Sequence, residues 1–456
     1  MNIIVVGGGS VGFNLAERLS KSKHHITIAE LDTNLCDAIS GKLDVRAITG
    51  SGSDPLVLEG AGIRNADMII AVTNFDETNL LCCNFAKQYG VSKRIARLHS
   101  PHYTQQGTMI DLAEVGVTHV IEPEKEIVNS ILQYIELPEA TESANFKSDN
   151  VYLRGYTITE DMPIANKTLP EITELAGSAK LLIVLINRNG KSIMPSGSDQ
   201  VLPNDEIIAI MPSESLEAFK KLLNQNEFIP GKIIISGTSL TALHLAQSLE
   251  ALADRVILVD PDEQHGMEAA SLLDKTEVLH GDCTDVEMLQ EIHVEDASFF
   301  IAADKDSEDN IMASLLAKAE GTKQVIAVTE NERHTNLFKK LGIDHIVNPR
   351  KITQQKIIAN IFRVPIGTLL TLKNMDIEVS RFIAQKNSRI IGMPLREIRE
   401  FSRNSIIIGC VFHNGDVIIP SGDTIIEENN EVLVICTKKN EKLAAKFFKP
   451  GILTKV

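Results

Sequence analysis

The sequence predicts an α/β protein with two doubly wound Rossmann-like domains, each followed by a small α+β domain. Three observations carry this expectation: short apolar runs alternate with helical stretches, each such region gives way to a hairpin-bearing segment, and the whole arrangement occurs twice. Residues 3–7, 26–30, 45–49, 67–72, 94–98 and 117–121 are short, largely apolar runs bounded by turns, the pattern of buried parallel strands. Val11–Ser20 and Glu77–Tyr89 are long enough to be crossover helices between them. The next module differs. Segments 151–158, 182–187 and 206–211 surround the dipeptide Asn189-Gly190, a strong hairpin signal, and predict a small, mostly antiparallel domain.

The duplication is read from paired phrases. Asn189-Gly190 through Pro195-Ser196-Gly197 recurs as Asn414-Gly415 through Pro420-Ser421-Gly422, an offset of 225 residues. Ile3–Gly7 matches Ile233–Gly237, and the run ending in Glu30 matches the run ending in Asp260, both offset by 230. Gly116–Pro123 echoes Gly342–Pro349. Expected boundaries are 1–140 and 231–365 for the Rossmann-like domains, and 150–226 and 372–456 for the small ones. Polar stretches Pro138–Asn150 and Asn224–Lys232 read as linkers. Ile127, Val128, Ile131, Leu132 and Ile135 form an apolar stripe at helical spacing, as do Ile357, Ile358, Ile361 and Phe362; simple packing and a dimerisation helix are both open.

Composition narrows the function classes. The 456 residues include 45 basic and 61 acidic side chains, a formal net charge of −16, which argues against nonspecific grip on nucleic acid or anionic lipid. Aromatics are 4% of the chain with no Trp, a poor basis for stacking single-stranded nucleic acid. Six cysteines (Cys36, Cys82, Cys83, Cys283, Cys410 and Cys436) form no CxxC pair or zinc spacing, so no metal is expected and a reduced, cytosolic compartment fits best. Cys82-Cys83 on a buried helix would act as small hydrophobes. Neither a targeting segment nor a membrane-spanning run is expected.

The chemistry concentrates at Gly7-Gly8-Gly9-Ser10-Val11-Gly12, a GxGxxG motif between a strand and a helix. Gly7 allows the tight turn, Gly9 lets backbone N–H groups approach a pyrophosphate, and Gly12 lets the helix pack close to the strand. Glu30, ending the second strand, is placed to accept hydrogen bonds from an adenosine ribose, which favours NAD(H) over its 2′-phosphorylated form. The second copy, Gly237-Thr238-Ser239-Leu240-Thr241-Ala242, keeps one glycine and the carboxylate Asp260; weaker binding, a smaller nucleotide or an empty site is expected there. Gly50 and Ser51 follow the third strand, facing the adenine side. Val72, Thr73 and Asn74 end the fourth, with Asp76 as the expected cap of the next helix. Arg94 and Arg97 flank the fifth strand, where one can reach a phosphate or form a surface ion pair; the position matching Arg97 in the second half reads as Ala327. Glu122, Glu124 and Glu126 read as acids on a solvated loop, and Asp304, Asp306 and Asp309 as an acidic helix entry.

Taken together, the glycine loop, Ala66-Asp67 through Thr73, Asp76-Glu77-Thr78-Asn79, Arg94-Ile-Ala-Arg97 and Asp309-Asn310 resemble the bacterial regulator-of-potassium-conductance family of Trk potassium uptake proteins, over essentially the whole chain. The resemblance implies a cytosolic subunit at the inner face of the plasma membrane. It would bind NAD(H), with ATP or ADP as alternatives, and form a homo-oligomeric ring docked on a membrane potassium-translocating subunit of the TrkH/TrkG kind. Gly7, Gly9, Gly12, Glu30, Thr73 and Arg97 would contact nucleotide, and a cation near Glu122, Glu124 and Glu126 is the alternative to reading those acids as a solvated loop. The acidic chain suits basic cytoplasmic loops of such a subunit.

Two alternatives compete with that role: an NAD-dependent oxidoreductase, and a nucleotide sensor without a membrane partner. The oxidoreductase requires a catalytic group, and none is assigned. Tyr89 and Lys93 have the spacing of a Tyr-x-x-x-Lys pair, but Gly90 is expected to end the helix between them.

Overall fold

The computed structural model describes residues 1–450 except 22–23, 106–107, 137–140, 147–149, 226–229, 332–334, 362–365, 373–375 and 414–415. The first lobe opens with β1 (Asn2–Val6), whose Ile3–Val6 are buried, and α1 (Ser10–Lys21), which buries Val11, Leu15, Ala16 and Leu19. There follow β2 (His25–Glu30), α2 (Thr33–Lys42), β3 (Arg46–Thr49), α3 (Pro55–Gly60) and β4 (Met68–Ala71). Then come α4 (Asp76–Gln88), β5 (Lys93–Arg97), α5 (Leu112–Val115), β6 (His119–Ile121) and α6 (Pro123–Glu136). The strands lie in the order β3-β2-β1-β4-β5-β6 and all pair in parallel. The order reverses between β1 and β4, so their carboxyl ends open a crevice at the switch point.

A second lobe repeats this sheet with strands Lys232–Ser236, Arg255–Asp260, Glu277–His280, Phe299–Ala302, Gln324–Val328 and His345–Val347, in the same spatial order. The remaining described strands form a two-stranded pairing of Lys167–Thr168 with Gln200–Val201 and two five-stranded antiparallel sheets. One runs Lys191–Ile193, Leu182–Arg188, Glu206–Pro212, Val151–Thr157, Glu142–Phe146, and the other has the corresponding strands between Ile366 and Thr437. The first hairpin turns at Asn189 and Gly190, both with positive φ (53° and 76°), as a two-residue turn of the mirrored type demands. Its counterpart at Asn414-Gly415 lies outside the described residues. Strand Glu142–Phe146 corrects the reading of Pro138–Asn150 as a plain linker: it adds an edge strand beside Val151–Thr157. A polar composition hides an edge strand readily, because one side of such a strand has no neighbour to bury it.

The chain forms two compact units, Met1–Ile135 with Ile229–Ile361, and Glu136–Phe228 with Phe362–Val456. In the first, each lobe lends a helix to the other. Ile127, Val128, Ile131 and Ile135 of α6 join the core of the second lobe among Ile233, Ile235, Leu245 and Phe299. Helix Pro349–Ile361 packs in return against α1 and β6, burying Ile357 and Ile358; Phe362 lies outside the described residues. The apolar stripes therefore join two lobes of one chain. Burying each of these side chains stabilises by roughly 1.5–3 kcal/mol, so the exchange is a substantial part of the unit's stability. Tyr134 adds to the seam, stacking on His345 at 4.3 Å and donating to Gln324 Oε1 at 2.7 Å. In the second unit the two antiparallel sheets share one core, with Val151, Leu153, Ile208 and Ile210 against Ile377, Val379, Leu433 and Ile435.

Candidate functional site

The first glycine loop is shaped by what a Cβ would strike. At Gly12 it would lie 1.9 Å from the Gly7 carbonyl oxygen, so only glycine lets α1 start so close to the β1 turn. At Gly7 (φ +99°) it would press on the Thr73 backbone at 3.1 Å, and at Gly8 on Ile39 at 2.6 Å. Gly9 is different. Nothing lies within 4 Å of its would-be Cβ, and both Gly9 and Ser10 are exposed. The loop is thus closed beneath and open above, at the amino end of α1, where unsatisfied N–H groups favour an anion.

Glu30 stands beside it. One carboxylate oxygen accepts from Gly8 N–H at 2.5 Å and the other from Asp32 N–H at 3.0 Å, which fixes the group while leaving acceptor sites over. Gly50, with φ +150° and no room for a Cβ beside Val57, donates its N–H to the Glu30 carbonyl at 2.8 Å. Ser51 turns its hydroxyl onto Ser53 at 2.7 Å. Gly50 thus sits on the Glu30 side of the loop, with Ser51 next to it.

At the other side, Val72 continues the β1 ladder through its N–H to Val6 O at 2.9 Å. Thr73 and Asn74 follow. Arg97 is buried at 8% exposure, and its Nη2 donates to Thr73 O (2.9 Å) and Asn74 Oδ1 (2.7 Å). Its Nε has no hydrogen-bond partner among the described residues. Burial pulls this guanidinium below its usual pKa, while Glu124, Asp76 and Glu330 nearby oppose the shift.

Several expectations are corrected here. Among the described residues neither arginine forms a surface ion pair: Arg97 is buried, and Arg94 donates to the carbonyls of Gly116 and Val91. Asp76 does not cap its own helix. Its carboxylate accepts from His99 N–H and Ser100 N–H at 2.8–3.0 Å, tying down the segment after β5. Glu122, Glu124 and Glu126 are partly buried and paired in different directions, with Lys125 (2.6 Å), His99 (2.8 Å) and Lys356 (2.9 Å). The residue matching Arg97 is Val328, since Asn79 donates to Arg97 O and Asn310 to Val328 O; a one-residue slip in the offset misplaced it. Asp306 does cap its helix, accepting from Glu308 and Asp309 N–H.

Asn79 is the residue that sequence reasoning passed over. Fully buried, it holds Thr73 N–H, the Thr73 hydroxyl, Thr73 O and Arg97 O, bracing the ends of β4 and β5. Asn310 repeats three of these bonds in the second lobe. A polar residue recurring amid buried helix positions was the available signal.

A cleft of about 330 Å³ lies between the lobes. Val11, Arg97, His99 and Glu124 line it from the first lobe, and Ser239, Thr241, Asp304 and Arg350 from the second. Tyr89 and Lys93 do not share a helix: α4 ends at Gln88, Gly90 has φ +79°, Lys93 begins β5, and Tyr89 donates to Glu59 at 2.7 Å. No helix among the described residues is long and apolar enough to cross a membrane.

The TrkA-N domain model matches residues 3–123 and 233–349, and the TrkA-C domain model matches 153–224 and 379–449. The Trk system potassium uptake protein TrkA of Azorhizobium caulinodans is 32% identical, with 99% of each chain covered. Its namesake in Haemophilus influenzae is 30% identical, again over 99% of each. Among solved structures, the GsuK RCK domain aligns with TM-score 0.60 at 18% identity, over 98% of this chain and 94% of that one. The GsuK channel bound to NAD gives 0.61 at 19%, over 98% and 78%. At that identity the likeness is one of fold. These relatives are named as potassium uptake proteins and channel domains rather than enzymes, and the chain belongs to the TrkA family of Trk-system potassium uptake proteins.

Proposed function

We propose that the chain is a cytoplasmic regulatory subunit that binds NAD(H) or an adenine nucleotide in its first lobe and gates a membrane potassium-translocating subunit. The observation that carries this reading is the open glycine loop at the edge of a cleft shared by both lobes. The residues present suit an anionic nucleotide: an unobstructed Gly9, a helix amino end held close by Gly12, a fixed carboxylate at Glu30, and a buried guanidinium with a spare donor. Gly8 to Val11 would hold the phosphates, Glu30 the adenosine ribose, Gly50 and Ser51 the adenine side, and Thr73, Asn74 and Arg97 the distal half. The curated relatives' names and the NAD named with a structure of the same fold support the assignment.

Gating follows from the shared cleft. A ligand reaching past Val11 and Arg97 meets groups of both lobes and favours one spacing over another; it shifts the equilibrium only by its difference in affinity for the two. A homo-oligomeric ring on the inner membrane face, docked on a TrkH/TrkG-like subunit, would pass that difference to the pore. Potassium flux with and without nucleotide, in wild type and Gly9→Asp, tests this. The open space at Gly9 lets the variant fold, so regulation should vanish with structure intact; unchanged regulation refutes the proposal.

A further inference from the structure

The two lobes are superposable by hydrogen bonds, which makes the differences at their loops informative. Gly7 N–H donates to Ala29 O and Gly237 N–H to Val259 O, while Thr73 N–H and Asp304 N–H donate to Asn79 and Asn310. Asp304 therefore stands where Thr73 stands. The side chains part company. Thr73 turns its hydroxyl away, onto Asn79 at 2.7 Å, and the three atoms nearest to a Cβ on Gly7 are backbone or carbonyl: Thr73 N at 3.1 Å, Thr73 Cα at 3.2 Å and the Val72 carbonyl carbon at 3.2 Å. Asp304 lies across its loop: a Cβ on Gly237 would meet Asp304 Cβ at 2.5 Å and Cγ at 2.9 Å.

The rest of the second loop is spent internally. Thr238 donates its hydroxyl to Asp260 Oδ2 at 2.6 Å, and Asp262 N–H takes Oδ1 at 2.8 Å, leaving Asp260 3% exposed. Ser239 donates to the Ala303 carbonyl and accepts from Ala242 N–H, so a side chain caps the helix Leu240–Leu249. Val328 replaces the guanidinium of Arg97. Relative to the first loop, the second has gained a carboxylate and lost a buried cation; Lys305, next to Asp304, is exposed.

We infer that the second lobe excludes nucleotides and that Asp304 is the residue that excludes them, its carboxylate standing as a built-in anion over the loop. The inference rests on the reading that the first lobe binds nucleotide. Like charges juxtaposed at a contact repel, and a half-buried carboxylate over the loop opposes the binding of a phosphate that the fold would otherwise support. The chain then carries one receiver, and the second lobe serves as the wall against which the first moves.

The test is calorimetric titration of the full chain with ATP and with NADH. Wild type should saturate near one nucleotide per chain and Gly9→Asp near none. Adding Asp304→Thr, the residue of the first lobe, to Gly9→Asp should raise affinity on the order of tenfold or more. Asp304→Asn, which keeps the shape and removes the charge, is the second variant, with far-UV circular dichroism reporting the fold of each. Two nucleotides per wild-type chain, or residual binding in Gly9→Asp, overturns the exclusion. Folded Asp304 variants that gain nothing overturn the role of Asp304. Wild type that binds neither ligand refutes the first-lobe reading, and this inference with it.

Discussion

Gly9 and Gly12 sit three residues apart, and the structure assigns them opposite sensitivities. In Gly12→Ala the new Cβ falls 1.9 Å from the Gly7 carbonyl oxygen, about 1.5 Å short of the 3.4 Å at which ordinary contact begins. That oxygen belongs to backbone and cannot rotate away, so α1 must retreat from a sheet against which Leu15, Ala16 and Leu19 are wholly buried. Overpacking of this kind costs about 1–3 kcal/mol, and the depth of this clash places the variant near the upper end. In Gly9→Ala the Cβ meets nothing within 4 Å, so stability should stay within about 0.5 kcal/mol. On the proposed assignment, however, the same Cβ stands in the path of a phosphate and should weaken nucleotide binding on the order of tenfold. Urea unfolding followed by far-UV circular dichroism suits a chain without Trp, and calorimetry gives the affinity. Equal urea midpoints for the two variants would refute the geometric argument, as would wild-type affinity in Gly9→Ala.

Further outcomes follow from other contacts. Ile131→Ala, at 0% exposure, should cost about 2–5 kcal/mol and loosen the second lobe rather than its own, read as lost hydrogen-exchange protection in Ile233–Leu249; loss confined to the first lobe contradicts the helix exchange. Asn79→Ala leaves the Thr73 N–H, Thr73 O and Arg97 O without that partner and should cost about 1–3 kcal/mol while lowering nucleotide affinity; a variant as stable as wild type would deny it the bracing role. Burial pushes the thiols of Cys83, Cys283 and Cys436 up to about 12. Their folded pKa exceeds the unfolded one, so the stability they contribute is whole below about pH 8.5 and falls as pH rises toward 12. Native protein at pH 8 should resist iodoacetamide at all six cysteines, and rapid labelling would contradict their burial.

Much of this was written in the chain. Apolar runs bounded by turns located the parallel strands to within a residue or two, because strands buried on both faces leave an unbroken apolar signature. The glycine loop was legible at Gly7, Gly8 and Gly12, where crowding leaves no room for a Cβ, whereas Gly9 is open and was read from the motif alone. Pairings made by side chains across distance were not legible. Asp76 reads as a helix cap because caps are local, whereas its partners, His99 and Ser100, are brought up by the next strand. The stripe on α6 announced a partner without naming it, since an apolar face records only that something covers it. Strand Glu142–Phe146 was missed because an edge strand needs no apolar pattern. The blocking role of Asp304 depends on where a side chain turns, which a sequence does not specify.

The central claim is that the first lobe receives a nucleotide and the second responds across their shared cleft. Hydrogen exchange on the full chain, with and without saturating NADH or ATP, tests it most directly. The account predicts added protection on both walls, at the start of α1 (Ser10–Phe13) and at Leu240–Leu243 of the second lobe. Added protection confined to the first lobe, or none at either wall, would contradict it.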